Sequence, residues 1–244
     1  MNTRVLIAVT FGVLVSGLAG CDPAPGRAPS AAAPTAASPP PSSAAPSSTA
    51  VAVHAIPDRA FLQQPDTNRA DAPYEVPSAG MLPPLCGARY GSDALVAARR
   101  TLHVIFSAQP PKQDFVPVPD GTFDETITTY QRDGAEQFMR QLRSAVSACP
   151  AETREGVRYR IRLLTATERG DDAILFELRS PARDSEGNPT GGDDVSLVAA
   201  VRVGTAVLVL LANGWERGSA DPAVVDRFTQ TAFDRLRAWF LGGR

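Results

Sequence analysis

Between Val157 and Leu163, three arginines (Arg158, Arg160 and Arg162) alternate with Val157, Tyr159, Ile161 and Leu163. On a β-strand this period of two sends all three guanidinium groups to one sheet face, about 7 Å apart. Such a row can hold a carboxylate or phosphate bidentately. Glu177, expected on the neighbouring strand, can equally pair with the row across the ladder, and exposed charge is the ordinary state of a sheet's wet side. His103 and Trp215 are the other binding candidates. His103 alternates with the apolar run Leu102, Val104 and Phe106, which predicts a solvated imidazole. Trp215, in Asn213-Gly214-Trp215-Glu216, stands at a strand-to-helix corner, where an indole caps a core or meets a ligand.

Catalytic patterns are absent. The chain contains no H-E-x-x-H, C-x-x-C, G-x-x-x-x-G-K-[ST] or G-x-S-x-G, spacings that would bring metal ligands, a redox pair, phosphate-binding amides or a serine nucleophile together. Its two histidines are His54 and His103, so a Ser-His-Asp arrangement would depend on His103 alone. The acidic run Asp184–Asn188 places Pro189 and Val195 where a calcium loop needs glycine and a bidentate glutamate, and it reads as a strand connection. No catalytic residue, metal or cofactor is expected, and the chain reads as non-enzymatic. A formal net charge of −2 argues against a nucleic-acid binder that relies on a broad basic field.

The N-terminus carries an address. Met1–Arg4 supply positive charge, Val5–Val15 are almost wholly apolar, and Leu18-Ala19-Gly20-Cys21 puts small residues before a cysteine. This is the order of a secretory leader, and its apolar run is too short to span a bilayer. Leu18–Cys21 resemble the lipobox of bacterial lipoproteins, which implies cleavage before Cys21 and acylation of its sulfur. Two or more acyl chains hold a protein stably at a membrane, so the expected location is the cell membrane, facing outside the cytoplasm. Residues Asp22–Ala52 follow, with 25 of 31 positions Pro, Ala or Ser. Such a stretch buries too little apolar surface to offset its ordering entropy. It reads as a disordered tether, reaching about 100 Å if extended and about 30 Å as a coil.

Residues 53–244 form one expected α+β domain, with a Pro-rich arm over 53–97. Setting aside Arg4, Arg27 and Asp22 leaves 22 basic and 25 acidic residues, a net charge of −3. The arm predicts one helical turn near Arg59–Gln63. Two helices are marked. One opens with Asp133 and Glu136 as a capping box, carries the stripe Ala135, Phe138, Met139, Leu142, Ala145, Val146 and Cys149, and stops at Pro150. The other opens at Asp221-Pro222, shows Val225, Phe228, Ala232, Leu236, Trp239 and Phe240 on one face, and stops at Gly242-Gly243. Strands are expected around Thr101–Phe106, Phe123–Tyr130, Val157–Leu163 and Ile174–Arg179. Val195–Val203 and Ala206–Ala212 complete them as a hairpin turning at Gly204-Thr205. A membrane helix over Val195–Asn213 is the rival, but Arg202 near its middle would cost about 2.5–3.5 kcal/mol. The expected fold is therefore a mainly antiparallel sheet of about five to six strands, with two long helices packed on one face.

With Cys21 taken by lipid, Cys86 and Cys149 remain in a compartment where disulfides persist. Their bond would pin the arm to the end of the first helix.

Leu85-Cys86, the strand to Phe106, the helix ending Ala148-Cys149-Pro150, the hairpin ending Gly214-Trp215-Glu216 and the last helix resemble actinobacterial lipoproteins with a PknH-like extracellular sensor domain. The resemblance covers roughly residues 56–240. It implies an α+β ligand-binding or sensing domain with a cleft and no established enzymatic activity. Family members commonly carry four domain cysteines in two disulfides, whereas only Cys86 and Cys149 stand here. The expected partners are the membrane, through the anchor, and a small-molecule, lipid or cell-wall ligand. An envelope protein partner belongs to the alternative reading, a cell-envelope structural or assembly factor; nucleic acid is not expected.

Replacing Cys21 by alanine is expected to move the chain from the detergent phase to the aqueous phase on partitioning. Unchanged partitioning would count against the anchor.

Overall fold

A computed structural model describes residues 55–77, 84–111 and 118–242. The expectations for the leader, Cys21, the tether and His54 lie outside these residues. Strands β1 (Tyr74–Glu75), β2 (Val96–Phe106), β3 (Gly121–Tyr130), β4 (Ala151–Arg154), β5 (Val157–Leu164), β6 (Asp172–Arg183), β7 (Pro189–Val203) and β8 (Ala206–Gly214) make one sheet. Their order is β1-β2-β3-β8-β7-β6-β5-β4, antiparallel at every step. Helix α1 (Gly134–Ala148) has 15 residues and α2 (Pro222–Gly242) has 21.

This corrects the expected plan. The sheet has eight strands, not five to six, because β1 and β4, at two and four residues, are too short to show a readable alternation. One helix is long and the other shorter. They also lie on opposite faces rather than on one. Val225, Phe228, Ala232 and Leu236 of α2 share a core with Leu197, Val201, Leu208 and Leu210. Phe138, Met139, Leu142 and Val146 of α1 share another with Val198, Ala200, Val207 and Val209. Successive residues of a strand point to opposite faces, so β7 and β8 are buried on both sides. That is why this hairpin is apolar at nearly every position, as strands covered on both faces are.

The turn between β7 and β8 puts a left-handed φ of 57° on Gly204 and none on Thr205, as a type II′ turn requires. Val195–Asn213 is thus strand and turn, and among the described residues no helix is long and apolar enough to cross a membrane. The apolar stripes of both helices face the cores as their spacing predicts. At α2, Asp221 Oδ1 accepts the Ala223 N–H at 2.8 Å. The capping box expected at α1 is not formed: Asp133 makes no side-chain cap bond, and Glu136 pairs with Arg140 one turn on instead.

The arm is more than a connector. It forms four short 3-10 turns, Asp58–Ala60, Gln64–Asp66, Leu85–Gly87 and Gly91–Leu95. Ile56, Ala60, Phe61 and Leu62 are buried in the α2-side core. Arg100 clamps this segment, donating to Ile56 O at 2.7 Å and Asp58 Oδ1 at 3.0 Å, with its guanidinium 5.3 Å from the Phe61 ring centroid. Further along, Leu85 is buried in the α1-side core, with Tyr90 and Leu95 packed against it. The residues before β2 therefore contribute to both layers.

Cys86 and Cys149 are joined in a disulfide with Cα atoms 5.8 Å apart across a sequence separation of 63. In the chain-entropy treatment, closing such a loop stabilises the fold by about 4 kcal/mol. The double variant Cys86→Ser, Cys149→Ser is expected to lose stability of that order in urea unfolding with an increased m-value, since its unfolded chain is free to expand. A loss under about 1 kcal/mol would show that the arm is held by packing alone.

Candidate functional site

Arg158, Arg160 and Arg162 project from β5 to the sheet side that carries α2, because Tyr159 and Ile161 point to the α1-side core. Helix α2 packs on β7 and β8, and on this face the three arginines of β5 are exposed. Two flanking segments border the open area. The loop before β6 reaches α2 through Arg169, whose Nε donates to Gln230 Oε1 at 2.8 Å, and through Thr167, which donates to Asp226 at 2.8 Å. At the other end Ala220 N–H donates to Val195 O at 2.8 Å, and Val195 N–H donates to Ser219 Oγ at 3.1 Å.

The arginines are not a bare row. Strand pairing sets Arg162 opposite Glu177 and Arg160 opposite Arg179. Glu177 Oε1 accepts from Arg162 Nε and Arg179 Nε, each at 2.8 Å, and Oε2 accepts from Arg179 Nη2 at 3.0 Å. Arg160 pairs with Asp193 of β7, which also lies 4.0 Å from Arg179 Nη1. Arg158 has no ion-pair partner among the described residues. Three guanidinium groups thus share two carboxylates with Arg158 beside them on the same strand face, a local excess of positive charge on a domain with more acids than bases. The Glu177 side chain is only 5% exposed. Hydrogen bonding from Arg179, then from Arg162, holds its carboxyl below the usual range despite burial. The same pairing raises Arg179.

Arg179 and Asp193 complete the constellation. Arg179 was signalled by its phase with Glu177 on β6. Asp193 was hidden because its glycine-rich surroundings read as a connection, whereas β7 starts at Pro189 and the turn is confined to Asp184–Asn188. That turn is ordered by Asp184 Oδ1, which accepts the Glu186 and Asn188 N–H groups at 2.9 and 2.8 Å.

The remaining candidates lie elsewhere. His103 is on the opposite face, since Leu102 and Val104 point to the α2-side core. It is not simply solvated: its Nδ1 lies 2.7 Å from Asp124 Oδ1, and its ring centroid is 5.2 Å from that of Tyr74. Trp215 follows β8, three strands from β5, half-buried, with its main-chain N–H donated to Asp120 O at 3.1 Å. Neither joins the arginines. Beneath α2, Thr167, Arg169, Leu175, Ala199, Val225 and Thr229 line a cavity of about 20 Å³, room for one water and far short of a ligand cleft. Cys86, Cys149 and Glu152 place their donor atoms within 4.8 Å of one another, but both sulfurs are in the disulfide and offer no thiolate to a metal.

No family model matches the chain, and no curated protein matches it. Among solved structures, the extracellular domain of PknH from Mycobacterium tuberculosis aligns with a TM-score of 0.48 at 13% identity, covering 73% of this chain and 93% of that one. A likeness at this level assigns no ligand, site or role to the chain.

Because the folded carboxyl of Glu177 titrates below its unfolded value, the stability it contributes is present above the ordinary carboxylate range and lost as pH falls through the depressed folded value. Acid unfolding of Glu177→Gln is therefore expected to show a shallower loss of stability on the acid limb than the native chain. Superimposable acid limbs would show that this network carries no stability.

Proposed function

We propose that this chain is a non-enzymatic lipoprotein, held at the outer side of the cytoplasmic membrane through Cys21, whose domain binds an anionic ligand on the β5–β6 face. The observation that carries the reading is the excess of guanidinium over carboxylate on an uncovered sheet face, with Arg158 free to accept a partner. An incoming carboxylate or phosphate would take Arg158 first and compete with Asp193 for Arg160. Glu177, gripped by two arginines and almost fully buried, would stay in place as the floor. The open shape favours a headgroup, a wall fragment or another extended anion over a small molecule enclosed on all sides.

A second reading, an envelope assembly factor that docks a protein, draws on a different feature. Strand β5 runs past β4, which pairs only with Val157–Arg160, and Leu163 beyond that point is 43% exposed. An added strand could extend the sheet there.

Thermal unfolding with inorganic phosphate, wall fragments or anionic phospholipid vesicles tests the first reading. At a concentration about 100 times Kd, binding stabilises by about 2.7 kcal/mol, a shift of about 5–10 °C for a domain of this size. The double variant Arg158→Glu, Arg160→Glu is expected to abolish the shift. No shift with any of the three probes overturns the reading. Crosslinking to an envelope protein that is lost in Leu163→Glu but kept in the arginine variant would favour the second.

A further inference from the structure

Glu125 lies on β3 between Leu102 of β2 and Leu210 of β8, with 0% exposure. It belongs to the same sheet face as Phe123 and Ile127, the α2-side core roofed here by the arm. Its Oε2 accepts the Leu62 N–H at 2.9 Å, while its Oε1 has no hydrogen-bond partner among the described residues. A carboxylate removed from water and given one neutral donor is costly, and such a group keeps its proton instead.

The charged groups around it are otherwise engaged. From β2, Arg100 is committed to Asp58 and Glu75, each at 3.0 Å. From the arm, Asp66 accepts the Gln63 N–H at 2.7 Å and receives Arg235 of α2 at 2.5 and 2.9 Å. Strand β8 adds only the apolar residues Ala206, Leu208, Leu210 and Ala212 to this core. Burial is the largest influence on Glu125, and Asp66 adds to it. Against the opposing pull of the Leu62 N–H and Arg235, its pKa is pushed up to about 8.

We propose that Glu125 is a proton-controlled latch for the N-terminal arm: protonated, it seats Leu62 and the surrounding segment against β3, and ionised, it releases them. The anion draws water and Arg235 toward itself. Asp66 then loses the cation that steadies the Gln63–Asp66 turn, so the segment from Ile56 to Asp66 lifts as a unit. The folded value lies above the ordinary one of 4.5, so the stabilisation is complete below that value and is lost as pH rises through about 8.

Hydrogen exchange of the Leu62 amide in the full chain, corrected for the intrinsic pH dependence, tests the latch against Glu125→Gln, which keeps an acceptor for Leu62 but cannot ionise. The native chain is expected to show a rise approaching tenfold per pH unit between the ordinary value of 4.5 and about 8, levelling off above about 8, with the Leu208 amide of β8 unaffected and no rise in the variant. Equal rises in both proteins, or none in the native chain, overturn the proposal. Should the variant fail to fold, a carboxyl-carbon NMR titration of native Glu125 decides: a midpoint above about pH 7 supports the latch and a lower one overturns it.

Discussion

Burial of the β7–β8 hairpin on both faces sets the terms for the rest of the molecule. Leaving Val198, Val207 and Val209 in water would forfeit about 1.5–3 kcal/mol for each side chain, so the sheet needs a layer on each side. With two helices in the described residues, α2 serves one face and α1 the other. A helix is about 10 Å across and strands are about 4.8 Å apart, so one helix roofs roughly two strands. An eight-stranded sheet cannot be covered that way. The shortfall over β2 and β3 is met by the arm, through Ile56, Phe61 and Leu62 on the α2 side. On the α1 side it is met by the segment around Leu85, Tyr90 and Leu95.

The same shortfall explains the arginines. Among the described residues no second helix lies on the α2 side for β5, β4 and the outer part of β6, so residues there must tolerate water. Arg158, Arg160 and Arg162 do so, and charge near a sheet edge also discourages unwanted pairing with another chain. Tolerance of water and the proposed ligand binding would both draw on this one row. Pairing separates the two roles: Arg162 is spent on Glu177 and Arg160 on Asp193, while Arg158 has no such commitment among the described residues.

Much of this was legible in the sequence and some of it was not. The two helical stripes, the six longer strands and the Gly204 turn follow from periodicity and turn chemistry, and Glu177 stands in the sequence as a possible partner of the arginine row without the register that selects Arg162. The expected helix arrangement differs from the observed one because a single wet face does not hold for the whole sheet. Yet the unbroken apolar run from Val195 to Val203 contains both Leu197 and Val198, which cannot share a face on a strand. The edge strands were invisible for lack of length. His103 was read as solvated because its partner Asp124 lies on another strand, and register between strands is a tertiary fact. Glu125 escaped for the opposite reason. In Phe123-Asp124-Glu125-Thr126-Ile127 the acid occupies an inward phase, a mismatch that pattern reading tends to treat as noise and that marks a buried carboxyl.

Glu125 and Glu177 show how far partners, rather than burial, decide ionisation. Both are nearly or fully buried side chains on the same face of the sheet, so loss of water raises both. Glu177 meets two guanidinium groups through three hydrogen bonds, and the balance falls below the ordinary value. Glu125 meets one backbone N–H, while the neighbouring Arg235 is already claimed by Asp66, and the balance falls above it. Had the chain placed a free arginine on α2 opposite β3, Glu125 would be a permanent ion pair, and removing either member would leave an uncompensated charge in the core. With Asp66 holding Arg235 instead, the arm's own residues decide whether the carboxyl beneath them stays neutral. The contact that seats the arm and the charge that would unseat it are two states of one side chain.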